Sequence, residues 1–258
     1  NEKMKIIISP AKKMICQPDL LEASSKPVFL EKTKQLLEYL KGLSYEEAKE
    51  LWKCNDKIAR LNYERIQTMH LDRNLTPALL SYEGIQYQYM APSVMEEEQL
   101  GYLQKHLRIL SGFYGLLRPL DGVVPYRLEM QAKARPAGYE NLYEFWGNAL
   151  CQELTKEEDC IVNLASKEYV QTIERHCPVG VQILTCVFGE VRGDKVIQKG
   201  TLAKMARGEM VRYMAQRKVL DLNELKEFSG LNFVYREDLS KKDQFVYVFS
   251  CKSDKDDI

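Results

Sequence analysis

The sequence has no surplus charge of either sign. Lys+Arg and Asp+Glu each total 37 in 258 residues, so the formal net charge is zero. A chain balanced in this way cannot hold a polyanion by its overall field, and any such contact must come from a local patch. The seven cysteines include no Cys-x-x-Cys pair and leave one over, which argues against a disulfide scaffold and for a reduced, cytoplasmic setting. The three histidines, His70, His106 and His176, stand far apart, with no other ligand type at the spacing of a metal motif; no metal and no cofactor are expected. There is no Gly-x-x-x-x-Gly-Lys-[Ser/Thr] loop, no Gly-x-Gly-x-x-Gly turn and no Gly-x-Ser-x-Gly elbow, which removes the common nucleotide loops and the α/β-hydrolase nucleophile. No charged leader followed by an apolar stretch opens the chain, and no apolar run approaches membrane length, so no membrane contact is expected. Internal repeats, low-complexity segments and an interdomain linker are likewise missing.

What is present is a composition rich enough to bury a core, with 45% hydrophobic residues. The pattern reads as one α/β domain over residues 4–252, a mixed sheet flanked by helices, followed by an acidic tail at 253–258. Residues 106–130 (HLRILSGFYGLLRPLDGVVPYRLEM) are its most informative stretch. Gly112, Gly115 and Gly122 punctuate apolar runs, Pro119 and Pro125 fix the turns, and Arg108, Arg118 and Arg127 sit at the breaks. An arginine fork matches phosphate or carboxylate. Two readings are open: a segment that surfaces to present charge, or a core strand pair whose arginines are paired internally with Asp121 and Glu129.

Residues 5–9 (KIIIS) read as a buried strand ended by Pro10, leaving Lys12 and Lys13 at its carboxyl end, where ligands collect in helix-flanked sheets. Residues 28–53 read as two helices. The link Lys41-Gly-Leu-Ser44 places Gly42 after the first and Ser44 at the N-cap of the second, with Glu47 completing a capping box. The same link resembles a helix-hairpin-helix, whose backbone amides hold DNA phosphates, although Ser44 stands where the second glycine is usual. A third helix over 55–69 turns Ile58, Leu61 and Ile66 inward, residues 78–82 read as a strand, and Tyr82, Tyr87 and Tyr89 either stack bases or line the core. Residues 96–107 and 141–154 read as helices, the latter anchored by Phe145 and Trp146. Residues 160–165 read as a strand, with Ser166 capping the helix after it. A hairpin is expected over 181–198, and strands over 233–236 and 244–250.

Residues 195–218 carry seven cations against Glu209 alone. On a helix, Leu202, Ala206, Met210 and Met214 make an apolar stripe, leaving Lys204 and Arg207 on another side as a solvated face or a contact surface. Gly208 within that helix costs about 1 kcal/mol relative to alanine, which points to close packing there. Most of the cysteines, Cys160 and Cys186 especially, sit in apolar context and read as buried and inert.

Taken together, several short motifs resemble the bacterial YaaA peroxide-stress protein family along nearly the whole chain. They are Ser9-Pro-Ala-Lys12, His106-Leu-Arg108, Leu110-Ser-Gly-Phe-Tyr-Gly115, Leu117-Arg-Pro-Leu-Asp121 and Pro125-Tyr-Arg-Leu-Glu-Met130. They continue with Phe145-Trp-Gly147, Val162-Asn-Leu-Ala-Ser166, Glu168-Tyr169 and Lys204-Met-Ala-Arg-Gly208. Lys13 departs from the threonine expected at its position. The resemblance implies a cytosolic protein of the hydrogen-peroxide response that limits iron-driven DNA damage, with a mixed α/β fold, a positively charged cleft, a helix-hairpin-helix and largely sequence-independent DNA binding. On that implication the nucleic-acid contacts are Lys12, Lys13, Arg108, Arg118, Arg127, Lys204 and Arg207, with Gly42 and Ser44 in the hairpin. Lys12, Arg118, Arg127, Lys204 and Arg207 are expected in one cleft. The competing reading is an enzyme acting on a nucleobase, nucleotide or damaged DNA, with Asp121, Glu129, Tyr126 and Ser166 as its candidate catalytic groups.

Overall fold

The apolar run near the amino terminus forms β1 (Met4–Ile8), in which Ile6, Ile7 and Ile8 are fully buried. Successive side chains of a strand face opposite sides, so a run apolar at every position needs cover on both. In the computed structural model, which describes residues 3–157 and 159–250, helices supply it.

From β1 the chain passes through the short β2 (Lys13–Met14) into α1 (Leu30–Lys41), α2 (Tyr45–Trp52) and α3 (Asp56–Gln67). Then come β3 (Thr76–Pro77), the single turn α4 (Ala78–Ser81), β4 (Tyr82–Glu83), α5 (Ile85–Met90) and α6 (Glu97–His106). The last of these feeds β5 (Leu107–Ser111), β6 (Gly115–Leu117) and β7 (Gly122–Val123). The second half holds α7 (Leu142–Trp146), α8 (Ala149–Leu154), β8 (Cys160–Leu164) and α9 (Lys167–Glu174). It closes with β9 (Gln182–Arg192), β10 (Lys195–Ile197), α10 (Gly200–Arg217), β11 (Phe233–Tyr235) and β12 (Gln244–Phe249).

The main sheet runs β11-β12-β9-β8-β1-β5-β6, with β10 on β9 as a hairpin. Its centre, from β12 to β5, is parallel, and β11 and β6 close it in antiparallel fashion. The result is a single mixed α/β domain, as the sequence pattern predicts. From β1 the order runs outward to β5 and β6, then returns to β8 and β9 on the other side. The crevice at the carboxyl ends of β1 and β8 is therefore a switch point, where open α/β sheets bind ligands.

Several local expectations are corrected. Residues 78–82 are not a strand but the α4 turn followed by β4, which pairs with β2 rather than the main sheet. The helix expected over 141–154 breaks at Gly147, whose φ of +50° lies in the left-handed region, giving α7 and α8. In α3 the buried positions are Ala59, Asn62 and Ile66, and Leu61 is 48% exposed. Ser166 occupies the N-cap position of α9 but makes no side-chain cap. Gly42 keeps an ordinary right-handed φ of −77°. The acidic tail and Cys251 lie outside the described residues.

Two glycines set the packing that matters below. A Cβ on Gly208 would overlap the Gln86 carbonyl oxygen and approach the Met90 nitrogen to 3.0 Å, so only glycine lets α10 lie directly on α5. At Gly112 a Cβ would overlap the Leu128 carbonyl oxygen, so the turn after β5 lets the 128–130 backbone pass against it.

Candidate functional site

At the carboxyl end of β1, the Ser9 carbonyl accepts from Tyr87 Oη at 2.8 Å and Gln86 Nε2 at 3.2 Å. Its hydroxyl reaches across to the end of β8, accepting from Ser166 N at 2.8 Å and lying 3.2 Å from Ser166 Oγ. Asn163 shapes the second strand end, its Oδ1 accepting from Ala165 N at 2.9 Å. These bonds hold two loops open beside a cleft of about 380 Å³.

Five segments distant in sequence line it: residues 9–13, 83–87, 126–129, 166–169 and the α10 face carrying Lys204 and Arg207. Its cations are Lys12, Lys13, Arg127, Lys204 and Arg207, and its carboxylates are Glu83, Glu129 and Glu168. Lys12 lies 3.4 Å from Glu129, and Lys13 lies 3.2 Å from Glu83. Neither Arg127 nor Arg207 has a carboxylate within ion-pair distance among the described residues, and the Nε of each is buried without a hydrogen-bond partner. Arg127 makes one long bond, from Nη2 to the Trp52 carbonyl at 3.5 Å. Burial lowers the Arg207 pKa from its ordinary value, yet a guanidinium stays charged in proteins. Both side chains are half-buried, and an anion entering the cleft would supply each guanidinium with the counter-ion it lacks among the described residues.

Other expected contacts are elsewhere. Arg118 is held by Asp121, with Nε 3.1 Å from Oδ1, and donates from Nη2 to the Lys26 carbonyl at 2.7 Å. Asp121 is fully buried and also accepts from Ser25 Oγ at 2.6 Å and Arg118 N at 2.8 Å. That pair is structural and lies outside the cleft, so Asp121 is not among the groups that could act there. Arg108 donates to the Gln104 and Leu107 carbonyls at 2.9 and 2.7 Å and, with Arg118, faces a separate depression of about 230 Å³. At the α1–α2 hairpin, Ser44 N donates to Glu47 Oε1 at 2.9 Å and Glu47 N to Ser44 Oγ at 3.2 Å. The capping box thus uses two amides that a phosphate would need, and Glu46 and Glu47 occupy the same first turn.

Residues 4–239 match the family described as "Peroxide stress protein YaaA". A UPF0246 protein of Lachnoclostridium phytofermentans is 58% identical over 245 residues, covering 95% of this chain and 96% of the relative. UPF0246 proteins of Desulfitobacterium hafniense and Pediococcus pentosaceus are 56% and 54% identical, each over 95% of this chain and 98% of the relative. The chain belongs to the peroxide stress protein YaaA family.

Of the candidate catalytic groups, Tyr126, Glu129 and Ser166 line this YaaA-family cleft. Tyr126 Oη is nevertheless committed to Tyr82 Oη at 2.7 Å and to Ser111 Oγ, and burial pushes its pKa up to about 12. Glu168 belongs to the matched Glu168-Tyr169 pair, to which the sequence assigns no site role. It lies in the first turn of α9, where Oε2 accepts from Gln131 N at 3.2 Å, and burial holds its pKa above the ordinary value, with Glu129 adding to the effect. The available signal was its position two residues past the strand-end Ser166. Tyr82 and Tyr87 are core residues with bonded hydroxyls, so they are not free stacking platforms. Among the described residues no group of His, Cys, Asp and Glu is arranged to hold a metal ion, and no helix is long and apolar enough to cross a membrane.

Proposed function

We propose that this protein binds DNA through the cleft at the β1/β8 switch point, contacting phosphates with Lys12, Lys13, Arg127, Lys204 and Arg207. In a peroxide-stress protein of the cytoplasm, this binding limits DNA damage driven by unincorporated iron. The observation that carries the reading is the pair of buried guanidinium Nε atoms, at Arg127 and Arg207, that have no partner in a cleft where cations outnumber carboxylates. Contacts of this kind position a duplex without reading its bases. The Gly42–Ser44 hairpin enters only as an auxiliary contact, made where a phosphate displaces the capping box.

Fluorescence anisotropy with a labelled duplex tests the reading. Affinity is expected to fall linearly with salt on logarithmic axes, by a slope of about 0.9 per phosphate neutralised. The Arg127→Ala/Lys204→Ala/Arg207→Ala triple variant should flatten that slope by roughly three. A folded triple variant that binds as wild type does would refute the assignment.

A second reading, an enzyme acting on a nucleobase or nucleotide in the same cleft, is favoured by Glu129 and Glu168 beside Lys12, since phosphate binding alone has no use for carboxylates. Product formation from lesion-bearing DNA, lost in Glu129→Gln, would support it.

A further inference from the structure

The cleft combines two chemistries that a continuous sugar-phosphate backbone does not need together. Arg127 and Arg207 have as neighbours the Trp52 carbonyl and Cys186, with no carboxylate at ion-pair distance among the described residues. Lys12, Glu129 and Glu168 form a second group, in which Glu129 is bonded to Lys12 and both lie close enough to act electrostatically on Glu168. A strand laid along the whole cleft would bring phosphates against Glu129 and Glu168. The volume of about 380 Å³ is that of a small-ligand pocket, typically about 300–1,000 Å³. That volume suits a single nucleotide, whereas a duplex would meet the same cations only with the phosphates it presents at the mouth.

Glu168 is held in place rather than loosely displayed. Gln131 N donates to its Oε2, and Tyr143 Oη donates to its backbone carbonyl at 2.6 Å. The Met130 backbone makes a further hydrogen bond to this carboxylate, and since a carboxylate has about four acceptor sites, Glu168 keeps capacity to accept from a ligand. Among the standard bases, only guanine presents two adjacent donors, N1–H and N2–H₂, on its Watson–Crick edge. Adenine, cytosine and thymine set a donor beside an acceptor, which a carboxylate repels. Bases removed from the stack are commonly read along that edge.

Resting on the reading of the cleft as a DNA site, we infer that it takes one unpaired guanine nucleotide, its phosphate on Arg127 and Arg207 and its base edge on Glu168. The shared chemistry, a phosphate joined to a two-donor base edge, is offered both by a guanine unpaired within DNA and by free dGMP.

Anisotropy with short duplexes that differ only at one central position tests this: fully paired, one unpaired G, or one unpaired T. The unpaired G should bind about tenfold more tightly than the unpaired T. Glu168→Gln, with one negative charge fewer, should bind the paired and T-bulge DNAs at least as tightly as wild type and lose the G-over-T preference. On wild type, dGMP should displace the G-bulge DNA about tenfold better than dIMP, which lacks the 2-amino group. Equal binding of G and T bulges, a preference kept in Glu168→Gln, or equal competition by dGMP and dIMP would each overturn the inference while leaving duplex binding intact. Should no duplex bind but calorimetry detect dGMP and not dTMP, the DNA reading fails and the nucleotide site stands. Binding of neither defeats both.

Discussion

Gly208→Ala separates local from tertiary control because the two predict opposite signs. In an isolated helix the change is favourable by about 0.8–1.0 kcal/mol. Here the new methyl would overlap the Gln86 carbonyl oxygen and crowd the Gln86 carbon and the Met90 nitrogen, each at 3.0 Å. All three are backbone atoms of α5, so no rotamer change makes room, and α10 must move away from α5. Overpacking of this kind costs roughly 1–3 kcal/mol, and a rigid backbone neighbour places this site at the upper end. The net expectation is a loss of about 1–2 kcal/mol after the helix gain is subtracted. For a chain of this size that is a Tm lower by roughly 2–8 °C, read in a thermal or urea melt. The damage should also reach the cleft. Gln86 and Tyr87 hold the Ser9 carbonyl, and Lys204 and Arg207 ride on the displaced helix, so DNA affinity should fall with stability. A Gly208→Ala protein as stable as wild type or more so would refute this account of the α5–α10 contact.

Arg118→Ala should leave DNA affinity unchanged while reducing stability by about 1–3 kcal/mol in urea, because buried Asp121 loses its charged partner and keeps only neutral donors. A fall in DNA affinity without a fall in stability would return Arg118 to the binding surface. Raising the pH should unfold the protein through its buried tyrosines. For Tyr126, held at about 12 against an ordinary 10.0, the contribution is intact below pH 10 and lost as pH rises through 12, roughly 2–3 kcal/mol for that group; titration followed at 295 nm together with circular dichroism measures it. Among the described cysteines, iodoacetamide should label exposed Cys16 first, and peptide mass spectrometry should find Cys151 and Cys186 unlabelled in the native protein, since burial lifts their pKa values to about 11 and 12.

Local chemistry was the most legible level of this sequence. The Ser44–Glu47 capping box, the Asn55 cap and the 182–197 hairpin all follow from neighbours a few residues apart, and all are present; glycine inside a helix pattern signals a close approach at Gly208 but not its partner, α5. The break at Gly147 was hidden because glycine within an apolar helix pattern also reads as a tolerated interior residue. Arg118 and Arg127 were harder still. Both follow glycine-punctuated apolar runs with a carboxylate two or three positions on, Asp121 for one and Glu129 for the other. In the fold the turn at 118–121 closes the first pair, while Glu129 pairs with Lys12 and Arg127 is left with Trp52. Which guanidinium becomes available is decided by contacts more than 70 positions away, and no spacing rule carries that information.

Because its walls are borrowed from five stretches between Ser9 and Arg207, the cleft cannot exist in any fragment of the chain. Parallel pairing of β1 with β8 closes a loop of some 150 residues before Ser9 can meet Ser166, and such long closures come late in folding. Occupancy would then report on completion of the whole fold, and a bound nucleotide would act as a clasp, stabilising the native state by RT ln(1 + [L]/Kd).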